Sequence, residues 1–179
     1  MALREVVHWF VGACLLSILL RTWLLMGLVV PVIVAGDSMQ PTLARDKRIL
    51  VDRTAYFWQT PRRGDVVVFR CPERATELCV KRVFGLPGEH MTVVDGQIRA
   101  NGMPTAIGNA ARIDVRYRDR VAYERRVGVG APEPIIWKVN EREYFVVGDH
   151  AEVSHDSRDW PQGPGLPERL VVGRVVGVR

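Results

Sequence analysis

The chain has 179 residues, 47% of them hydrophobic, and a formal charge of +5 from 25 Lys and Arg against 20 Asp and Glu. That length holds one membrane anchor and one domain of about 140–145 residues, large enough to fold without metals or many disulfides. The apolar N-terminal part carries only Arg4, Glu5 and Arg21, so +4 falls on the rest; this suits anionic lipid headgroups, while the lack of a basic run interleaved with aromatics argues against nucleic-acid binding.

Residues 6–35 are apolar apart from His8, a few small polar residues and Arg21. A membrane-spanning helix needs about 20 residues at 1.5 Å each. The pattern predicts one from Leu3 to Met26, with Trp9 and Trp23 towards the two interfaces and Arg21 reaching the headgroups. Residues 1–27 are thus a short stub and a transmembrane helix, ended by Gly27 and Pro31. A cleavable secretory signal competes, because Ile33-x-Ala35 before Gly36 loosely fits a small-residue cleavage site. The run is too long for that, and a soluble core helix of this kind is rare. Charge alone leaves the orientation open, since Arg4 on one flank is opposed by Arg21, Arg45, Lys47 and Arg48 on the other.

From 28 to 179 the chain reads as a β-rich domain with many turns. Strands are expected at Val32–Val34, Arg48–Asp52, Val66–Phe69, Cys79–Phe84 and Tyr144–Val147, with a turn at Arg63-Gly64-Asp65. Asp95-Gly96 and Asn101-Gly102 are tight hairpin signals around Gln97–Ala100. Residues 103–140 alternate Arg with Asp and then carry Gly128, Gly130, Pro132 and Pro134, which reads as a solvated insertion. Of the three cysteines, Cys14 lies in the apolar run. Cys71 and Cys79 flank a short loop, as either a disulfide or two free thiols. No zinc spacing is present. His150 and His155 with Asp149 and Asp156 follow no metal motif either, and no cofactor is expected.

Two stretches carry chemistry. Gly36-Asp37-Ser38-Met39-Gln40-Pro41-Thr42-Leu43 places a serine just beyond the apolar run, with no histidine nearby to activate it. Gly36 leaves room for a substrate backbone, and Pro41 restricts the turn that exposes the hydroxyl. Cys79-Val80-Lys81-Arg82-Val83-Phe84-Gly85-Leu86-Pro87-Gly88-Glu89 places Lys81 in an apolar strand, sharing a face with Val83 while Arg82 points to the other. A buried lysine is shifted towards its neutral form and can act as a base. A third stretch, Gly148-Asp149-His150-Ala151-Glu152-Val153-Ser154-His155-Asp156-Ser157-Arg158-Asp159-Trp160, follows the last of the main strands.

Together with residues 63–69, these blocks resemble the type I signal peptidase family in order and spacing. The resemblance implies an N-terminal transmembrane helix followed by an antiparallel β-sheet catalytic domain, mainly β, with 103–140 as a small variable β insertion. It implies a single-pass protein of the cell (inner) membrane, N-terminus inside and catalytic domain outside, that removes signal peptides from exported preproteins. Ser38 would be the nucleophile and Lys81 its base. Ser154 would bond the Lys81 amine and aim it at Ser38, and Asp156 and Arg158 would form a buried ion pair bracing the loop. Val34, Met39, Leu43 and Val80 would line shallow pockets for small substrate side chains. The chain departs from the pattern at His150, where Asn is usual, and at Pro161, where Gly is usual. It also departs at Gly36, where many relatives carry a hydroxyl. Three rivals differ in kind: a maturation peptidase for one dedicated substrate, a non-catalytic membrane-anchored peptide-binding β domain, and a soluble self-cleaving repressor. The dyad disfavours the second and the apolar run the third.

Overall fold

The computed structural model describes residues 3–94, 97–105, 136–150 and 152–178. Helix α1 (Leu3–Leu28) stands apart from the rest. Its stretch Arg4–Thr22 has a mean hydropathy of 1.4 and none of it is buried within the protein. It runs two residues past the expected stop at Met26 and takes in Gly27, because a lone glycine lowers helix stability without removing a backbone donor.

Eleven strands follow among the described residues: β1 (Val29–Ile33), β2 (Arg48–Asp52), β3 (Val66–Cys71), β4 (Arg74–Gly85), β5 (His90–Val94), β6 (Gln97–Ala100), β7 (Met103–Pro104), β8 (Ile136–Lys138), β9 (Glu143–Val147), β10 (Leu166–Pro167) and β11 (Val171–Val175). They form a seven-stranded antiparallel sheet in the order β1-β2-β11-β3-β4-β9-β10 and a four-stranded one in the order β7-β6-β5-β8. β1 starts three residues earlier than expected and includes Pro31. It lies at the sheet edge, pairing only with β2, where a missing N–H breaks no central ladder. β4 begins at Arg74 rather than Cys79, since its exposed first half pairs back along β3 as far as Cys71.

Val66, Val67, Val68 and Phe69 of β3 are all fully buried. Their side chains alternate between two cores. Val66 and Val68 join Val34, Met39, Leu43, Ile49, Val51 and Val175, whereas Val67 and Phe69 join Val83, Tyr144, Val146, Trp160 and Leu166. A strand covered on both faces reads as an unbroken apolar run, and this one does.

Asn101 (φ 50°) and Gly102 (φ 80°) make the expected two-residue turn between β6 and β7, with positive φ at both central positions. The Asp95-Gly96 signal and most of the expected 103–140 insertion (residues 106–135) lie outside the described residues. The ends of that insertion, β7 and β8, belong to the smaller sheet.

Candidate active site

The turn that carries Ser38 is held at both ends. Val34 N–H donates to Lys47 O at 3.0 Å, and Asp46 N–H donates to Val34 O at 2.7 Å. Met39 and Leu43 are sunk into the core, and Leu43 N–H closes on Met39 O at 2.8 Å. Asp37 accepts from Gln40 Nε2 and Arg45 Nη1, both at 2.8 Å. The serine hydroxyl is left facing β4. Lys81 lies in β4 opposite Val67, only 5% exposed, and its Nζ donates to Ser38 Oγ at 2.6 Å. Burial pushes the Lys81 amine below the ordinary lysine value. The nearby Asp156 carboxylate partly opposes this and the Arg158 charge adds to it.

The loop after β9 closes the site from the other side. Gly148 N–H donates to Asp156 Oδ2 at 3.0 Å, and Ser154 Oγ donates to the same oxygen at 2.6 Å. Arg158 Nε and Nη2 reach the two Asp156 oxygens at 2.8 and 2.9 Å, with the side chains 4% and 0% exposed. Burial alone would raise the Asp156 carboxyl. The Arg158 charge and the bonds from Arg158, Ser154 and Gly148 hold it below the usual carboxylate range. Ser157 clamps the end of β9 by bonding Val146 through both its hydroxyl and its N–H, at 2.9 and 3.2 Å.

Two contacts join this loop to the turn that carries Ser38. His150 N–H donates to Ser38 O at 3.0 Å. Gly148 passes so close that a Cβ there would stand 2.4 Å from Ser38 O and 2.3 Å from Ser154 Oγ. Because His150 acts here through its backbone, replacing Asn by His leaves the contact intact. At the other departure, Trp160 still packs edge-on against Phe69, centroids 6.1 Å apart, with Pro161 after it.

A second buried ion pair was not anticipated from the sequence. Arg82 grips Asp149 through Nε–Oδ1 at 2.8 Å and Nη2–Oδ2 at 2.7 Å, with exposures of 4% and 2%. Arg82 Nη1 also bonds Gly64 O at 2.9 Å, and Nη2 reaches Thr42 Oγ1 at 3.4 Å. This one guanidinium ties β4 to the serine turn, to the Arg63-Gly64-Asp65 turn and to the loop after β9. The available signal was an arginine inside an apolar strand, a charge that must find a partner when buried.

An open groove of about 490 Å³ runs past Ser38 and Lys81. Val34, Met39 and Val80 are among its lining residues. Leu43 is not: it is fully buried in the core behind Ser38, so its part is to anchor the turn rather than to form a pocket wall. On the β4 side the wall includes Cys71 and Cys79, which form a disulfide (Cα–Cα 5.4 Å) and so close the question of bridge or free thiols.

A family model described as "signal peptidase, peptidase S26" matches residues 3–178. Signal peptidase I of Bacillus licheniformis is 33% identical over 172 residues, covering 94% of this chain and 83% of the relative. Signal peptidase I P of Bacillus subtilis subsp. natto is 31% identical over 161 residues, covering 87% and 79%. Signal peptidase I of Leptolyngbya laminosa is 30% identical over 153 residues, and the match spans 80% of this chain but 64% of that relative's length. A solved signal peptidase I from Enterococcus faecalis V583 aligns over 65% of this chain and 97% of its own at 24% identity, with a TM-score of 0.47. The chain belongs to the signal peptidase family, peptidase S26.

Proposed function

We propose that this chain is a membrane-anchored serine endopeptidase that removes signal peptides from exported preproteins through a Ser38/Lys81 dyad. The observation that carries this reading is the 2.6 Å contact between Lys81 Nζ and Ser38 Oγ, made by a lysine buried to 5% exposure. With the amine neutral, the hydroxyl donates to its lone pair along the same line. As Ser38 Oγ bonds the scissile carbonyl carbon, its proton passes to Lys81. Lys81 then returns a proton to the departing amine, leaving an acyl-enzyme that water hydrolyses. Ser38 N–H donates to nothing among the described residues and is free to bond the developing oxyanion. Ser154 donates its hydroxyl hydrogen to Asp156, and on this reading its oxygen accepts from Lys81 and orients the amine. Asp156 and Arg158 fix Ser154 and the loop, a pair that secures geometry more than it adds net stability. Val34, Met39 and Val80 shape the groove for small side chains.

The helix α1 anchors the enzyme in the membrane as a single pass, with the β-sheets on the extracytoplasmic side, where a disulfide persists. The test is cleavage of a preprotein in detergent. Ser38→Ala and Lys81→Ala should each abolish turnover with unchanged circular dichroism. Lys81→Arg should be equally inactive, because a guanidinium stays charged. Turnover near wild type in any of the three refutes the dyad.

A further inference from the structure

The tip of the β3–β4 hairpin is tied to the loop that carries Ser154. Glu73 lies between β3 and β4, inside the loop closed by the Cys71–Cys79 disulfide. His155 follows Ser154 directly. The two meet at 2.6 Å between Glu73 Oε2 and His155 Nε2, and the opposite ring nitrogen of His155 lies 3.8 Å from Asp159 Oδ2. Glu73 and His155 both line the groove, as do Cys71, Leu78 and Cys79 of the hairpin. The Ser38/Lys81 chemistry does not use this contact. Burial is the largest influence on the Lys81 amine, followed by the charges of Asp156, Arg158, Asp149 and Asp159.

We propose that the Glu73–His155 contact is a latch that holds the disulfide-closed hairpin over the groove as a specificity wall. The wall would position an extended substrate segment well away from the scissile bond. The inference rests on the peptidase reading above. Three lines support it. The hairpin half of β4, Arg74–Leu78, is exposed and packs on no core, so beyond its pairing with β3 at Arg74 and Leu78 its place is fixed by the disulfide and the latch. Leu78 lies three residues before Lys81 along β4, about 10 Å at strand rise, so a substrate strand in the groove meets the hairpin about three or more residues from the bond that breaks. The latch partner sits on the loop that positions Ser154 and Asp156, so hairpin and dyad are held in one frame. An imidazole N–H donates to the carboxylate whether or not the ring is charged, so the latch does not depend on His155 being protonated.

The experiment uses the full chain in detergent and two synthetic peptides with an alanine-bordered cleavage point, one extending about ten residues to each side and one about two. Glu73→Ala and His155→Ala should each raise KM for the long peptide about five- to tenfold, with kcat within about twofold and the short peptide's KM nearly unmoved. The double variant should be no worse than either single one, because both act through one contact. Reductant-treated wild type and the Cys71→Ser/Cys79→Ser variant should show the same KM rise, so the comparison survives if a single variant misfolds. Equal effects on long and short peptides, a fall in kcat with KM unchanged, or additive single effects would overturn the latch. Binding of the fluorescent long peptide to the Ser38→Ala form, with and without Glu73→Ala, reads the wall without turnover. Loss of affinity there supports the latch even if wild type cleaves neither peptide, a result that would count against the peptidase reading alone.

Discussion

On the proposed mechanism, a lysine and a serine 43 positions apart in the chain become a base and a nucleophile because one side chain is dry. Burial is the largest influence on the Lys81 amine and lowers its proton affinity. The neutral amine is the active form, so kcat/KM should rise with pH along an acid limb whose midpoint lies below the ordinary lysine range. A midpoint at or above that range, measured with a substrate lacking titratable groups, would contradict the assignment. The same shift bears on stability. The folded-state affinity is depressed, so the unfolded chain binds more protons between the folded and unfolded pKa values. Stability therefore rises with pH across that window, and below it the folded protein carries a buried cation. Lys81→Met should accordingly be more stable than wild type at neutral pH, as read by urea unfolding. Gly36 offers a gain-of-function test: a Cβ there meets nothing within 4 Å, and the backbone is not in the left-handed region. Gly36→Ser should fold normally and add a second oxyanion donor, raising kcat about two- to tenfold. A fall in kcat would show that the added hydroxyl cannot reach the oxyanion.

At the scale of elements, the site is three segments held in contact: the serine turn, β4 and the loop after β9. Arg82 joins all three, and its pair with Asp149 is nearly dry. Asp149→Asn leaves that guanidinium without a counter-charge and should cost about 3–5 kcal/mol in a denaturant midpoint analysis. A cost under about 1 kcal/mol would mean that Gly64 O and Thr42 suffice. Gly148→Ala drives a methyl group against Ser38 O and Ser154 Oγ, so it should reduce turnover at least about a hundredfold while the sheet keeps its fold. What the sequence disclosed follows the same division. Ser38, Lys81 and the Asp156–Arg158 pair sit in local motifs, and β3 announces itself as Val66-Val67-Val68-Phe69, so these were legible. Pairing of Arg82 with Asp149, and of Glu73 with His155, spans 67 and 82 positions, and no local pattern encodes it. Leu43 misled because motif position alone does not tell a pocket wall from the core residue behind it. The first half of β4 was missed because Arg74–Leu78 is exposed and takes its strand form from pairing with β3.

For the whole molecule, the question is how a β-sheet protein and a bare apolar helix share one task. α1 ends at Leu28, whose carbonyl accepts from Arg53 N–H at 2.8 Å, so the segment after β2 begins beside the end of the helix. That segment carries Phe57 and Trp58, 63% and 91% exposed and stacked edge-on at 5.8 Å, with Arg53 and Arg62 on either side. Large aromatics with basic neighbours are suited to the headgroup region. Ten residue steps lead from Leu28 to Ser38 and can span at most about 33–36 Å, and β1 takes up five of the residues between them pairing with β2. With α1 in the membrane as proposed, Ser38 is kept near the bilayer surface, where a membrane-inserted substrate would present its cleavage point at high effective concentration. A chain shortened to begin at Leu28 should cleave a soluble peptide with nearly unchanged kcat and still need detergent. On a preprotein inserted in liposomes, its kcat/KM should fall by about a hundredfold or more. Adding Trp58→Ala to the shortened chain should weaken its binding to vesicles containing anionic lipid about five- to tenfold without altering peptide turnover. Equal processing of inserted preprotein by shortened and full-length chains would show that the helix is dispensable for catalysis at the membrane. Unchanged vesicle binding after Trp58→Ala would show that the aromatic pair does not meet lipid.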